Sequence, residues 1–199
     1  MSERNRNYML SGIVEVDDTY YGSTKKGSKR GIGTDKIKIA VAVSKDENGK
    51  PKYVQMNVLK NLKGVTVGQF AREHIKEGSI VESDAYQSYR KPLANRYFHK
   101  FDVFNADKDM LKWLHTIVGN AKLFIDGTFH GLGGKYIQSY LDEFTYRFNR
   151  WRIYFGFFEN LLSASISSKP LTLAVLKGIS ILMKYDSRSP HGEHGLKVD

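Results

Sequence analysis

Along the chain, apolar residues first gather between Gly12 and Gly22, where Ile13, Val14, Val16, Tyr20 and Tyr21 favour an extended backbone between two punctuating glycines. Two adjacent carboxylates sit inside this strand. Side chains alternate along a strand, so Glu15 and Asp17 share one face while Val14, Val16 and Asp18 share the other. Ile37 to Val43 alternates and then runs apolar, Asp46 to Pro51 supplies turn residues, and Tyr53 to Leu59 resumes the strand pattern, which predicts a β-hairpin. Val67, Phe70, Ala71 and Ile75 then recur at helical spacing, and Ile80 to Asp84 reads as a fourth, buried strand finishing at an aspartate. Strand, hairpin, helix, strand is a mixed α/β order.

From Lys108 to Asp126, Met110, Leu114, Ile117, Ala121 and Phe124 predict a helix with one face on the sheet. Its other face carries Lys108, Lys112, His115, Gly119, Lys122 and Asp126, stepping by three and four. A long helix is expected from Lys135 to Leu162, with Ile137, Leu141, Phe144, Phe148 and Phe155 on one side and Glu143, Arg147 and Arg150 on another. Ser163 to Pro170 reads as a polar break, Leu171 to Met183 as a further helix, and the tail from Asp186 as disordered. Lys25 to Asp35, with three glycines and no periodicity, reads as a mobile loop.

Composition narrows the class. The chain has 199 residues, 41% hydrophobic and 13% aromatic, enough for a substantial core in one domain with an appendage. It has no cysteine, which excludes disulfides and thiolate zinc sites and fits a reducing cytoplasm. No apolar run reaches the roughly 20 residues that span a bilayer, so no membrane partner is expected. The net charge is +10, from 31 Lys and Arg against 21 acids, and it is spread over Lys25 to Lys38, Arg90 to Lys100 and Arg147 to Arg152. Spread positive charge suits a surface that follows a phosphate backbone, a solvated basic surface being the alternative.

The two acidic strands come together in this reading. A helical crossover returns the chain to the sheet, so Asp84 can lie beside Asp17 at the strand ends, where ligands of such sheets bind. Converging carboxylates repel unless a cation lies between them, and oxygen ligands favour Mg2+ or Mn2+ over zinc or copper. A third ligand from the helix would come from its polar stripe, where His115 precedes Lys122 by seven residues. Asn120 lies roughly 140° around the helix from His115. An ordinary surface histidine remains the alternative for His115.

Four stretches carry a resemblance to a known family: Val14 to Gly22 (VEVDDTYYG), Ser83 to Tyr89 (SDAYQSY), Leu111 to Gly131 (LKWLHTIVGNAKLFIDGTFHG) and Tyr140 to Arg150 (YLDEFTYRFNR). Together they resemble the catalytic domain of bacterial insertion-sequence transposases of the ISXO2-like group, from about Gly12 to Arg150. The resemblance implies an RNase H-like fold of the retroviral-integrase superfamily and a DDE-type metal site for DNA strand cleavage and transfer. Asp17 matches the first acidic position, with Asp18 where the family usually has glutamate, and Asp84 matches the second. The family's third position is often a glutamate seven residues before a helix lysine, and counting back from Lys122 reaches His115. Members with asparagine keep Asn120 as a candidate, and Glu143 is a third whose alternative is a structural role.

The implied cofactor is Mg2+ or Mn2+, held by Asp17, Asp84 and His115, with Lys122 on a nearby phosphate. The implied partner is DNA, transposon ends and target, contacted by Lys25, Lys26, Lys29, Arg30, Lys122, Arg147 and Arg150, with Trp151 where the family usually has a second arginine. A homo-oligomer is an open expectation. The expected layout is a tail over 1–11, the catalytic domain over 12–162, a helical extension over 163–185 and a disordered tail over 186–199. Family members usually carry an N-terminal zinc-ribbon or helix-turn-helix region, so a truncated or isolated catalytic domain is expected. Two rival readings stay open, an inactive DNA-binding remnant and an RNase H-like nuclease.

Overall fold

The structure is a computed structural model and describes residues 5, 8–22, 36–102, 110–129, 134–151, 156–168, 170, 172 and 173. Among these residues five strands form one mixed sheet: β1 (Ile13–Tyr21), β2 (Ile37–Lys45), β3 (Pro51–Leu59), β4 (Ile80–Asp84) and β5 (Phe98–Asp102), in the order β3-β2-β1-β4-β5. The first three are antiparallel neighbours. β4 joins β1 in parallel and β5 joins β4 in parallel. Helices α1 (Gly64–His74), α2 (Gln87–Ala94), α3 (Lys112–Thr128) and α4 (Ile137–Arg150) accompany it. This is the RNase H-like architecture that the resemblance implied.

The β2–β3 hairpin forms where the turn chemistry allows it. Asp46 Oδ1 accepts the backbone N–H groups of Asn48 and Lys50 at 3.0 and 2.9 Å, and Gly49 takes the positive φ of +72° that the turn needs. β2 is an interior strand buried on both faces, so it reads as a nearly continuous apolar run. Its small side chains, Ala40 and Ala42, face α1 and α2 together with Val14, Val16, Val67, Phe70 and Leu93. Its large ones, Ile39, Val41 and Val43, join Leu114, Ile117, Ala121, Ile125 and Leu141 on the α3 side.

Close contact on the first face depends on Gly68, where a Cβ would stand 2.9 Å from Pro92 Cβ in α2. The edge of β3 is covered rather than left open. Asn149 accepts from Val54 N–H at 2.8 Å and donates to Val54 O at 3.0 Å, while Gln138 accepts from Val58 N–H at 2.7 Å and donates to Met56 O at 3.1 Å. Two amide side chains of α4 thus take the place of a sixth strand.

Three expectations change. The long helix expected over 135–162 is α4, preceded by a 3-10 turn at Gly134–Tyr136, and a separate α5 (Phe157–Ser167) that starts after Gly156 at φ +75°. Ser163 to Ser167, read as a polar break, are helical, and the Ser165 and Ser167 hydroxyls return to the carbonyls of Leu161 and Ser163. α2 and β5 were not expected from the pattern at all. The chain divides into two compact units, 1–153 and 154–199, with α5 in the second. The expected loop over 25–35 and the helix and tail beyond 173 lie outside the described residues.

Candidate active site

The β1–β4 register sets the site. Glu15 pairs with Glu82 and Val16 with Ser83, so Asp17 and Asp84 follow side by side at the next position. Alternation places Glu15 and Asp17 toward α3 and Asp18 toward α2, as the strand reading required. Asp17 is mostly covered, with 18% of its side chain exposed. Its carboxyl is pushed up from 3.8 to about 6, first by burial and further by the charges of Asp84 and Asp18, against the Asp18 N–H and His115, which pull it down.

His115 comes to Asp17 because α3 is anchored one step earlier. Leu111 caps α3 in the left-handed region (φ 53°) and brings no side-chain acceptor, so the first-turn N–H groups need one from elsewhere. Glu15 supplies it. Its Oε2 accepts the Leu114 N–H at 2.8 Å, and its Oε1 lies 3.1 Å from Lys45 Nζ, which also reaches Glu82 Oε2 at 2.6 Å. Glu15 is only 3% exposed. With that register held, His115 Nε2 lies 3.3 Å from Asp17 Oδ2, its ring 42% exposed.

The rest of the stripe follows β1 upward. Lys122 borders the same niche as Thr19 and Tyr21, and Tyr21 OH donates to Asp126 Oδ1 at 2.7 Å. The Lys122 ammonium is held below its ordinary range, first by burial and then by the charge of Lys36. Asn120 is exposed and off the stripe. Asp18 receives the Tyr89 hydroxyl at 2.6 Å, and Asp84 Oδ1 receives the Tyr86 N–H at 3.1 Å.

The other candidates stand apart from this centre. Glu143 pairs with Arg147 at 2.7 Å within α4, and the Arg147 guanidinium also covers the Phe124 ring. Arg150 lies between the rings of Tyr146 and Tyr8. Lys25, Lys26, Lys29 and Arg30 lie outside the described residues. Sequence reading missed Glu15 and Lys45, whose signal was only that Glu15 shares the Asp17 face. It also missed Asp102, which β5 sets beside Asp84 and which no local pattern announced.

As the side chains stand, no group of three or more His, Asp or Glu among the described residues could hold a metal ion. Two carboxylates with an imidazole at hand, one of them with its proton affinity raised by burial and by like charge, are nevertheless a donor set that a hard divalent ion suits. Among the described residues no helix is long and apolar enough to cross a membrane.

A mixed sheet of this order is the RNase H-like architecture, and here it carries acids at the ends of β1 and β4. The chain belongs to the ISXO2-like transposase domain family, whose model matches residues 9–149. No curated protein matches it. Among solved structures it is similar to the catalytic core domain of BIV integrase, at 10% identity and a TM-score of 0.48, over 88% of this chain and 97% of that one.

Proposed function

We propose that this domain carries out divalent-metal-dependent phosphoryl transfer on DNA, cleaving and joining strands, with Asp17 and Asp84 as the metal-holding carboxylates and His115 as the third ligand. The carrying observation is the half-buried Asp17, its carboxyl raised to about 6, beside Asp84 at the ends of adjacent parallel strands and in contact with His115. A bound Mg2+ or Mn2+ supplies activation of the attacking hydroxyl or water and stabilisation of the leaving oxygen. Asp17 and Asp84 would hold the ion from the ends of β1 and β4, and His115 from α3. Lys122, part-buried on the same stripe, holds a phosphate of the strand beside the reacting one. The spread basic residues hold the duplex without reading its bases, so affinity falls steeply with salt.

A second reading, an inactive DNA-binding remnant, is favoured by the lack of a ready three-ligand group among the described residues. Nicking and strand transfer on a supercoiled substrate, with Mg2+ and with Mn2+, separates these. Metal-dependent products that vanish in Asp17→Asn and Asp84→Asn support transfer chemistry. DNA binding with no product in either metal selects the remnant, and cleavage without joining selects a nuclease.

A further inference from the structure

We infer that Tyr89 and Asp18 are positioning residues that hold the Asp17 and Asp84 carboxylates in place before any metal arrives. This rests on the metal-site reading above. Four hydrogen bonds connect the two carboxylates through the protein: Asp18 N–H to Asp17 Oδ1 (2.7 Å), Tyr89 OH to Asp18 Oδ1 (2.6 Å), Tyr89 N–H to Tyr86 O (3.0 Å) and Tyr86 N–H to Asp84 Oδ1 (3.1 Å). The path crosses the sheet. Asp17 faces α3, whereas Asp18, one residue on, faces α2, so the link ties β1 to the turn that follows β4.

The middle member is well fixed. Tyr89 is 2% exposed, packs in the core with Val14, Val16 and Leu93, and meets the Tyr86 ring edge-on at 5.8 Å. Burial and the neighbouring Asp18 charge hold its hydroxyl far above the ordinary tyrosine range, so it stays a donor at any pH the fold tolerates. Asp18 in turn cannot swing toward the metal side, since its Oδ1 is engaged below the sheet and Tyr20 is a second partner there. One oxygen of each metal-side carboxylate is therefore committed to backbone N–H groups. The other oxygen of Asp17 is the one that meets His115.

Two like charges are thus kept together by N–H donors and a tyrosine at some cost in repulsion, which a cation then relieves. Without the link, each carboxylate has to be ordered when the metal binds. Losing a partner of this sort weakens metal affinity about 10- to 100-fold.

The test compares parent, Tyr89→Phe, Asp18→Asn and Asp17→Asn, with circular dichroism to confirm folding. Amide hydrogen exchange at Tyr86 and Asp18 is read without metal, and affinity is read with Mn2+ alone. Expected in Tyr89→Phe is faster exchange at both amides and Mn2+ affinity lower by about 10- to 100-fold. Asp18→Asn keeps an oxygen acceptor for the Tyr89 hydroxyl and is expected to stay near the parent, a rescue that general destabilisation does not give. Parent-like exchange and affinity in Tyr89→Phe, with Asp17→Asn unable to bind, overturns the inference and leaves the metal site standing. A loss of affinity in Asp18→Asn equal to that in Tyr89→Phe also overturns it. If the parent takes up no Mn2+, the metal-site reading and this inference fall together.

Discussion

β1 and β4 set two pairs of carboxylates on the same face, two residues apart, and the protein treats them differently. Glu15 and Glu82 are register partners, and Lys45 from β2 reaches both. Asp17 and Asp84 come next, and there Asp17 meets His115, which is charged only when protonated. The lower pair carries its counter-ion in the chain and spends it on fixing α3 through Leu114. Among the described residues no lysine bridges the upper pair, and burial with the Asp84 and Asp18 charges raises the Asp17 carboxyl to about 6. The comparison separates acids bound to a lysine from acids that meet a histidine, a distinction that residue type alone does not make.

Removing Lys45 should have the largest effect. Lys45→Met leaves Glu15 buried without its cation, and breaking such a pair costs about 3–5 kcal/mol. Urea unfolding measures it, and a loss under 1 kcal/mol, on the scale of an exposed pair, would break the contrast. By the same logic Asp17→Asn should leave the metal-free protein at least as stable as the parent, since it removes repulsion.

His115 comes next in size. Restoring a negative ligand with His115→Glu should strengthen Mg2+ binding, and His115→Ala should weaken Mn2+ binding by about tenfold, which is 1.4 kcal/mol. Asn120→Ala should change neither. Calorimetric titration of the three variants decides, and a damaging Asn120→Ala beside a silent His115→Ala would move the third ligand to Asn120.

The smallest effect is on pH. Asp17 binds its proton more tightly in the folded protein than in the unfolded chain, since its carboxyl is raised from 3.8 to about 6, mainly by burial. Its contribution to metal-free stability is complete below about pH 3.8 and is lost as pH rises through about 6. Metal binding displaces the same proton, so Mn2+ affinity rises across that window. Unfolding curves of parent and Asp17→Asn on either side of it should differ in slope, and parallel curves would refute the assignment.

Much of this arrangement was legible in the sequence. Alternation along Gly12 to Gly22 separated Asp17 from Asp18, the apolar run ending at Asp84 marked the neighbouring strand, and the period of three and four put His115 and Lys122 on one polar stripe, which the structure then sets beside β1. What stayed hidden depended on contacts distant in the chain. The Glu15 bond to Leu114 N–H joins residues 99 positions apart. α2 was masked by Pro92 inside it, and β5, five residues long and mostly exposed, has too little apolar pattern to read. α5 starts after Gly156, whose positive φ the aromatic period does not announce.

The most direct measurement is a Mn2+ titration of four proteins: the parent, Asp17→Asn, Asp84→Asn and Glu82→Gln. The upper pair is expected to be the ion's seat, so binding should vanish in the two aspartate variants and persist in Glu82→Gln. Binding kept in both aspartate variants, or lost only in Glu82→Gln, would contradict it.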